Sequence, residues 1–298
     1  MDAPHHNAPP LAGAAPAKAP LSVVLPVRNE ERNLPAALGS VEWADELIVL
    51  DSRSEDRTRE LAEAAGAEVV DFDWPGRGPR KKAWALENLR PRNGWVLLLD
   101  GDERITPELR EEILAAIERD DHDGYYIDRE LVFMGRRMNC FSPNWNLRLF
   151  RAGSARMEDL GLGDLEGTGD NEIHEHVEVD GNVGFLHERL LHDDYRGLTA
   201  WLDRHNKYAT WEAHLYQRFR SEPIGVGPLG FFRLDPFRRK RVLRRIWVRL
   251  PFRPVIRFFV WYVLRGGFRD GRAGLTFCVL MAHYEYIIGL KMRELRRS

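Results

Sequence analysis

The sequence feature that most constrains the fold is an unbroken run of five apolar residues, 95–99, that leads directly into an acidic cluster. A continuous apolar run of this length is typical of a strand buried on both faces, as in a parallel sheet. Asp100 and Asp102 follow it, separated by Gly101, which permits a tight turn or a close backbone approach. The same residues would also fit a strand end followed by a charged helix cap. We favour two convergent carboxylates at the end of a strand, where open α/β sheets bind ligands and where a divalent cation that carries a phosphate would fit.

Short apolar segments alternate with predicted helices through the first third of the chain. Strands are predicted at residues 21–27, 47–50, 68–72 and 95–99. Helices are predicted to end near residues 40 and 66, to span residues 81–89 and to begin after residue 106. Thr106 is expected to cap the last of these helices, which starts with Pro107. Strands that alternate with helices form a parallel sheet with right-handed connections, and because each strand ends in a polar group, one edge should form a polar crevice.

The pattern changes after Gly124, where strands no longer alternate regularly with helices. Further strands are predicted at residues 125–127, 145–150, 173–179 and 184–186, and one helix at about 198–219. Residues 153–171 are rich in Gly and Asp, and we predict a loop that is long enough to be functional.

The N-terminal segment and the cysteines bear on the environment of the protein. Residues 1–19 are rich in Ala and Pro, and we expect a disordered leader that lacks the basic and apolar segments of a secretory signal. Cys140 and Cys278 are far apart in sequence and form neither a metal-binding spacing nor a disulfide framework. These features favour a reducing, cytoplasmic environment.

The net charge of −2 conceals a strongly basic C-terminal segment. Residues 231–298 contain 17 Lys and Arg against 4 Asp and Glu, and the arginines are interleaved with aromatic and aliphatic residues. Two apolar stretches, 255–264 and 275–290, are shorter than the ~20 residues of a spanning helix. Basic, aromatic, amphipathic helices of this kind suit the surface of an anionic membrane.

Two other interpretations of the basic segment stay open. It could be a helical subdomain that packs on the sheet while its arginines are solvated. It could also contact nucleic acid, but no recognition motif supports that role, and we expect no nucleic-acid partner.

Three motifs, at residues 25–31, 50–58 and 99–103, carry a resemblance to a known family. The first reads Leu-Pro-Val-Arg-Asn-Glu-Glu, the second begins Leu-Asp-Ser, and the third is Leu-Asp-Gly-Asp-Glu. Their order and spacing resemble the nucleotide-sugar domain of inverting family-2 glycosyltransferases. Later motifs resemble the subgroup that contains the lipopolysaccharide core glucosyltransferases and related cell-envelope enzymes. These later motifs lie at residues 148–150, 173–175 and 191–195.

The resemblance covers about residues 20–215 and implies a GT-A fold, with a Rossmann-like, mostly parallel sheet flanked by helices. We therefore predict a disordered leader at 1–19, a GT-A domain at 20–219 and a basic, aromatic, helical membrane-associating region at 220–298. The resemblance also implies a nucleoside-diphosphate sugar as the donor and Mg²⁺ or Mn²⁺ as the cofactor.

By matching position, the resemblance implies a set of residues that bind the donor. They are Pro26, Arg28, Asn29, Glu30, Asp51, Lys82, Asp100 and Gly101. Asp51 would contact the uracil or an equivalent base, since a carboxylate can accept a hydrogen bond from a ring N–H. Lys82 stands where the family has a polar helix start that faces the donor, although Arg80 or Lys81 could serve instead.

The resemblance further implies two metal ligands and a residue that meets a phosphate. Asp102 would bind the metal directly, and His192 would be a further ligand. Arg148 could bind a phosphate or the acceptor, or it could simply pair with a neighbouring acid.

Inversion requires a general base that faces the acceptor hydroxyl while the nucleotide leaves on the other side. We assign this role to Glu175. The sequence lacks the acidic pair that many family-2 enzymes have at this place, so three other acids stay alternatives: Asp170, Glu172 and Asp193. In a strand, Glu175 would face away from His174 and His176. The two histidines are two residues apart, which does not match the spacing of four on a zinc-protease helix.

Together these observations predict a cytoplasmic glycosyltransferase, peripheral on the inner membrane face. It would move a sugar from a UDP-sugar or a related donor to a hydroxyl of a lipid-linked or cell-envelope glycan. Trp201, Tyr208 and Trp211 are expected to lie in the core rather than to form an acceptor platform. A nucleotidyltransferase is a second candidate, but that class usually has a Gly-rich, basic loop where this chain has residues 28–31. A non-catalytic module that binds nucleotide sugars or membranes is a third.

Overall fold

The computed structural model describes residues 18–74, 79–158, 176–193, 196–225, 227 and 236–297. They form a sheet flanked by helices and a group of C-terminal helices. The strands are β1 (Ala19–Val27), β2 (Ala44–Asp51), β3 (Glu68–Asp71), β4 (Trp95–Leu98), β5 (Glu103–Arg104), β6 (Gly124–Phe133), β7 (Arg136–Arg137), β8 (Trp145–Arg151), β9 (Ala155–Met157), β10 (Val177–Val179) and β11 (Val183–His192). The helices are α1 (Leu34–Gly39), α2 (Thr58–Ala64), α3 (Lys81–Asn88), α4 (Pro107–Arg119), α5 (Leu198–Ser221), α6 (Pro236–Trp247), α7 (Arg253–Phe259) and α8 (Gly271–Glu294).

The central sheet combines a parallel half with antiparallel strands. Its strand order is β3-β2-β1-β4-β8-β6-β11-β5. β1 is parallel to both β2 and β4, and Val27 pairs with Asp51, so the carboxyl ends of these strands meet at one edge. β8 is antiparallel to both β4 and β6. The α/β class with flanking helices is confirmed. The alternating pattern did not predict the antiparallel pairs, because the connection from β6 to β8 contains no crossover helix.

β4 is buried on both faces, as its unbroken apolar sequence predicts. Leu97 belongs to the apolar cluster on one face of the sheet and Leu98 to the cluster on the other face. Full burial of such a side chain contributes about 1.5–3 kcal/mol to stability. The strand is therefore held firmly, and it fixes the position of the acidic residues that follow it.

α4 begins as predicted, with Thr106 as its N-terminal cap and Pro107 as its first residue. Thr106 accepts a hydrogen bond from the backbone N–H of Leu109 at 3.2 Å, and Pro107 occupies the first helical position. The helix ends at Asp120, whose φ of 55° is left-handed. Leu109 and Ile113 lie in the apolar cluster on one face of the sheet, so α4 covers that face.

A second apolar core joins the C-terminal helices to one another. Trp211 of α5 is fully buried there, and Ile288 of α8 is also 0% exposed. Lys291 of α8 donates a hydrogen bond to the carbonyl oxygen of Asn206 on α5 at 2.7 Å. α5 and α8 therefore form one packed unit.

A buried ion pair joins α7 to α8. Glu285 of α8 is 0% exposed and accepts hydrogen bonds from Arg253 at 2.7 Å and from Arg257 at 2.6 Å. The guanidinium groups also lie over aromatic rings, Arg253 over Tyr216 and Arg257 over Trp247. One buried carboxylate thus pairs with two largely buried cations.

One helix in the described part of the chain is long and apolar enough, by length and composition alone, to cross a membrane. It spans Gly267–Glu294, its most apolar window has a mean hydropathy of 1.4, and 33% of that window is buried within the protein. The sequence predicted a shorter stretch, at 275–290, because the apolar run alone does not include the helical turns on either side. Phe277, Met281 and Tyr284 lie on the inner face of this helix and are buried.

Replacing Glu285 with Gln should destabilise the protein, because Arg253 and Arg257 would lose their shared counter-charge in a buried site. Removal of one partner from a buried ion pair costs about 3–5 kcal/mol. Urea unfolding measures this change. Glu294→Gln alters an exposed acid on the same helix, and it should change the free energy of unfolding by less than about 0.5 kcal/mol. Equal unfolding free energies for the two variants would contradict the role assigned to Glu285.

Candidate active site

A cavity of about 790 Å³ lies at the carboxyl ends of β1 and β4 and extends to α5, α7 and α8. Its volume falls in the range of about 300–1,000 Å³ that is usual for ligand pockets. Ten of the residues predicted for the site line it: Pro26, Arg28, Asn29, Glu30, Lys82, Asp100, Gly101, Asp102, Arg148 and His192. The fold therefore brings together side chains that are widely separated in sequence.

The acidic turn after β4 packs tightly against the loop after β1. The backbone N–H of Asp100 donates a hydrogen bond to the carboxylate of Glu103 at 3.0 Å, which closes the turn. A Cβ atom added to Gly101 would lie 3.0 Å from Cγ of Glu30 and 3.2 Å from Cγ1 of Val27. A residue without a side chain is therefore needed here for the turn to approach this loop.

Asp100 lies in a network of buried charges. Lys82 Nζ is 2.6 Å from one carboxylate oxygen, and Arg148 Nη2 is 2.6 Å from the other. Arg148 also contacts the buried Glu103 at 2.5 Å, so it pairs with two acids. Burial raises the pKa of Asp100, but the attraction of Arg148 and Lys82 outweighs burial, and the pKa lies well below its usual value. Asp100 is therefore ionised at neutral pH.

One carboxylate oxygen of Asp102 contacts a protein group, and the other has no partner among the described residues. Its Oδ2 atom lies 3.2 Å from Nε2 of His192. Its Oδ1 atom is buried and has no hydrogen-bond partner among the described residues, and the same is true of Nδ1 of His192. Burial raises the pKa of Asp102, but the attraction of His192 outweighs burial, so the pKa is lowered.

A divalent cation fits this arrangement when a substrate supplies the other ligands. Within the described ranges, no group of three or more His, Cys, Asp or Glu side chains is placed to hold a metal. Mg²⁺ is usually bound through one or two carboxylates together with substrate phosphates and water. The partnerless Oδ1 atom of Asp102 meets that requirement, because a buried carboxylate oxygen needs a cation or a donor.

Glu30 connects the loop after β1 to the start of α5. Its carboxylate forms an ion pair with Arg196 and accepts a hydrogen bond from the side chain of Asn33 at 2.9 Å. Burial raises the pKa of Glu30, Arg196 opposes that rise and Asp102 adds to it, with a raised pKa as the result. Both oxygens of Glu30 are bonded to protein groups, so this side chain supports the wall of the cavity.

Asp51 is buried and is not among the residues that line the cavity. It is 2% exposed, and its carboxylate accepts hydrogen bonds from the N–H and the hydroxyl of Ser54. Ser54 in turn accepts a hydrogen bond from the N–H of Asn29 at 2.9 Å. Asn29 has a left-handed backbone, with φ of 55°. Asp51 thus supports the loop that carries Arg28 and Asn29, and its contact with a base stays a prediction.

The start of α3 offers three cations, of which one reaches the acidic turn. Lys82 contacts Asp100, as described above. Lys81 also lines the cavity, but its ammonium group is buried and donates to the carbonyl oxygen of Val27 at 2.9 Å. Arg80 is buried and is not part of the cavity lining.

The residue predicted to be the general base lies outside the described residues. Glu175 falls there, as do its alternatives Asp170 and Glu172. Asp193, the remaining alternative, is described; it lies 4.0 Å from Arg104 and does not line the cavity. The role of Glu175 therefore stays a prediction.

One wall of the cavity was not expected from the sequence. It is formed by five residues on one face of α5: Trp201, Arg204, His205, Tyr208 and Glu212. Trp201 and Tyr208 were expected to lie in the core, and they do pack in the C-terminal core, but they also line the cavity. Trp211 is fully buried, as expected. The helical spacing of these five residues was a usable signal, but aromatic residues at that spacing are also typical of a helix that packs in a core.

Residues 22–169 match the model of glycosyl transferase family 2. The lipopolysaccharide core biosynthesis glycosyltransferase LpsC of Rhizobium meliloti (strain 1021) is 29% identical over 291 residues, which cover 93% of each chain. A glycosyltransferase of Rickettsia conorii is 30% identical over 203 residues, which cover 65% of this chain and 69% of that protein.

Two solved structures are more distantly similar. S. aureus TarS in complex with UDP-GlcNAc is 15% identical with a TM-score of 0.40, over 90% of this chain and 92% of that chain. Glucosyl-3-phosphoglycerate synthase from Mycobacterium tuberculosis, in complex with Mn²⁺, UDP and phosphoglyceric acid, is 28% identical with a TM-score of 0.31. The latter match covers 37% of this chain and 43% of the synthase. At these TM-scores neither likeness supports a conclusion about ligands.

Replacing Arg148 with Met should lower the free energy of unfolding by an amount that depends on pH. In the unaltered protein the lowered pKa of Asp100 contributes stability above its usual pKa of about 3.9, and this is lost only as pH falls through the lower folded-state pKa. Without Arg148, less attraction opposes the effect of burial, so the pKa of Asp100 rises. The destabilisation, about 3–5 kcal/mol at pH 7, should therefore shrink as pH falls to about 3.5, below the usual carboxylate pKa.

Urea unfolding at the two pH values measures this effect. Arg28→Met is the control, because Arg28 is an exposed cation of the same cavity and its loss should leave stability nearly unchanged. A loss of stability that is the same at both pH values would contradict the role of Arg148 as the counter-charge of Asp100.

Proposed function

This chain belongs to glycosyl transferase family 2, and from that membership we propose that it moves a sugar from a nucleoside-diphosphate sugar, of the UDP type, to a hydroxyl with inversion. The observation that carries the proposal is the arrangement of the acidic turn. Asp102 has a partnerless oxygen there, and Asp100 beside it is held by Lys82 and Arg148 in the same cavity. A leaving diphosphate needs both a bound cation and fixed positive groups.

Asp102 and His192 would hold the divalent cation, Mg²⁺ or Mn²⁺. Nε2 of His192 lies 3.2 Å from Oδ2 of Asp102, so the histidine stands beside the carboxylate whose Oδ1 atom would bind the ion. When bound, the cation acts as a Lewis acid that stabilises the charge developing on the leaving diphosphate. Lys82 and Arg148 both contact Asp100 in the same cavity and place two cationic groups beside the proposed metal site.

The loop after β1 would bind the nucleotide. Arg28 and Asn29 of this loop line the cavity, as does Pro26 at the end of β1. Arg28 is exposed to solvent, so its guanidinium group is accessible to a phosphate. Gly101 allows the acidic turn to lie against this loop. A contact of Asp51 with the base would require its carboxylate to share or exchange its hydrogen bonds to Ser54.

Glu175 is our proposal for the general base. It would take the proton of the acceptor hydroxyl while that oxygen attacks the anomeric carbon and the diphosphate leaves from the opposite face. A single displacement of this kind inverts the configuration. The motif at residues 173–175, which resembles that of the subgroup with the lipopolysaccharide core glucosyltransferases, supports this assignment.

The proposed acceptor is a lipid-linked or cell-envelope glycan. This choice is supported by the similarity to a lipopolysaccharide core biosynthesis glycosyltransferase along almost the whole chain. It is also supported by the C-terminal surface, which combines exposed apolar side chains with basic ones.

Replacing Asp102 with Ala should reduce the Mn²⁺-dependent hydrolysis or transfer of a UDP-sugar at least about a hundredfold, because a Lewis acid contributes several kcal/mol to the transition state. Release of UDP from UDP-glucose, UDP-galactose and UDP-GlcNAc in the presence of Mn²⁺ provides the measurement. Asp45→Ala, an exposed acid at the opposite edge of the sheet, is the matched control and should be fully active. Full activity of the Asp102 variant would contradict the role of Asp102 as a metal ligand.

The C-terminal helices present a surface that we propose lies on an anionic membrane. The exposed side chains on it include Phe252, at 79% exposure, Val255, at 66%, and Leu264, at 69%. A groove of about 540 Å³ places Phe252 and Val255 beside Arg293 and Arg296. Apolar side chains next to arginines suit a bilayer with anionic head groups. The inner face of α8 packs on the protein, which favours a peripheral position over a spanning one.

Co-sedimentation with vesicles tests the membrane surface. The full chain should pellet with phosphatidylglycerol vesicles more strongly than with phosphatidylcholine vesicles, and an alkaline wash should release it. The double variant Phe252→Ser, Val255→Ser should weaken pelleting at least about tenfold, because each apolar side chain contributes about 1.5–3 kcal/mol when buried.

Phe185→Ser is the control, since Phe185 is an exposed aromatic residue on β11. Undiminished pelleting of the double variant would contradict this membrane surface. Retention after the alkaline wash would indicate instead that the helix Gly267–Glu294 crosses the bilayer.

A further inference from the structure

We propose that Glu103 is a positioning residue for the metal site, because its carboxylate holds two arginines away from the Oδ1 atom of Asp102. The arginines are Arg129 of β6 and Arg148 of β8. The inference rests on the proposed glycosyl transfer, and it adds what keeps this oxygen available to a cation. Glu103 is 0% exposed and is not among the residues that line the cavity, so it acts through other residues.

The carboxylate of Glu103 makes three contacts near the acidic turn. One oxygen accepts a hydrogen bond from the backbone N–H of Asp100 at 3.0 Å. The other oxygen lies 2.5 Å from Nη2 of Arg148 and 3.6 Å from Nη1 of Arg129. One buried acid is therefore shared by the backbone of the turn and by two guanidinium groups.

The backbone of Glu103 is held independently of its charge. Glu103 belongs to β5 and pairs with His192 of β11. The backbone N–H of Asp193 also donates to the carbonyl oxygen of Asp102 at 3.1 Å, which ties the turn to the same strand. Glutamine in place of Glu103 should leave these contacts intact. Its amide oxygen can still accept the hydrogen bond from the N–H of Asp100, so the substitution removes the negative charge alone.

The two arginines differ in how they would be paired if Glu103 lost its charge. Arg148 would keep its contact with one oxygen of Asp100, at 2.6 Å. The other oxygen of Asp100 is already in contact with Lys82. Arg129 lines the cavity and forms its ion pair with Glu103. Arg129 is therefore the cation that would need a new partner.

Asp102 is the acid that Arg129 would then meet. Burial raises the pKa of Asp102, and the attraction of His192 and Arg129 lowers it, so Arg129 is near enough to act on this carboxylate. The Oδ1 atom of Asp102 is buried and has no hydrogen-bond partner among the described residues. Since an unpaired, partly buried cation is costly, the guanidinium group should pair with this oxygen once Glu103 is neutral. A divalent cation would have to displace it.

Metal-dependent binding of UDP to the full chain tests the inference. The readout is the Mn²⁺ concentration at which binding of trace radiolabelled UDP is half-maximal in equilibrium dialysis. Glu103→Gln should raise this midpoint about tenfold, because a ligand atom that is occupied about nine-tenths of the time lowers the apparent affinity by that factor. Glu108→Gln is the control. It alters an exposed acid in the first turn of α4 and should change the midpoint by less than about twofold.

Replacement of Arg129 distinguishes this role from a purely structural one. Glu103→Gln combined with Arg129→Met lacks the competing cation, so its midpoint should return to within about threefold of that of the unaltered protein. Glu103→Gln combined with Arg129→Lys keeps a positive charge, and its midpoint should stay at least about fivefold above that of the Met combination. Comparison of these two double variants decides the question even if Glu103→Gln alone does not fold.

The outcomes that contradict the inference differ from those that contradict the proposed function. An unchanged midpoint for Glu103→Gln, or equal midpoints for the two double variants, would overturn the role of Glu103. Weaker UDP binding at saturating Mn²⁺ with an unchanged midpoint would also overturn it, since that result indicates only a loss of folded protein. If the unaltered chain does not bind UDP in the presence of Mn²⁺, the proposed glycosyl transfer fails, and the role of Glu103 fails with it.

Discussion

The buried charges around Asp100 are the interaction on which the rest of the site depends. A carboxylate removed from water is costly unless cations and hydrogen bonds compensate it. Here the compensation comes from Lys82 at the start of α3 and from Arg148 on β8. β8 lies antiparallel beside β4, so the strand that departs from the parallel pattern is the one that brings Arg148 to the acidic turn. With Asp100 and Glu103 neutralised in this way, Asp102 can keep one oxygen without a protein partner.

Most of the parallel half of the sheet could be predicted from the sequence, because β4 and its neighbours are short apolar runs that end in polar groups. It also identified the residues of the acidic turn and of the loop after β1, which a parallel sheet necessarily brings to one edge. It could not show that Asp51 is buried against Ser54 and is not among the residues that line the cavity. That position depends on the hydrogen bonds of Asp51 to Ser54 and on the left-handed backbone of Asn29, which are tertiary features.

The α5 wall was missed for a different reason. Trp201 and Tyr208 have the spacing and the composition of core residues, and they do belong to the C-terminal core. A helix at the border of a core can use the same face for packing and for lining a cavity, and periodicity does not distinguish the two. The length of the last helix was underestimated because the helix extends beyond its apolar run at both ends. This helix packs through the C-terminal apolar core and through the ion pairs of Glu285 with Arg253 and Arg257. No local sequence pattern predicts these ion pairs.

The C-terminal helices have two sides with different roles in the proposed mechanism. Arg257 of α7 and Tyr284 of α8 face the cavity, whereas Val255 and Phe259 of α7 are exposed on the outer surface. A membrane on the outer surface would thus lie one helix layer away from the α5 wall. A lipid-linked glycan could then reach the cavity while its lipid stays in the bilayer.

The position of the metal ion is the most direct test of the central claim. A crystal of the full chain grown with UDP and Mn²⁺ and measured at the manganese absorption edge would locate the ion by its anomalous scattering. The account predicts one strong peak within about 2.5 Å of Oδ1 of Asp102, between that atom and the diphosphate. A manganese peak away from Asp102, or UDP bound outside the cavity that Asp100 and Asp102 line, would contradict it.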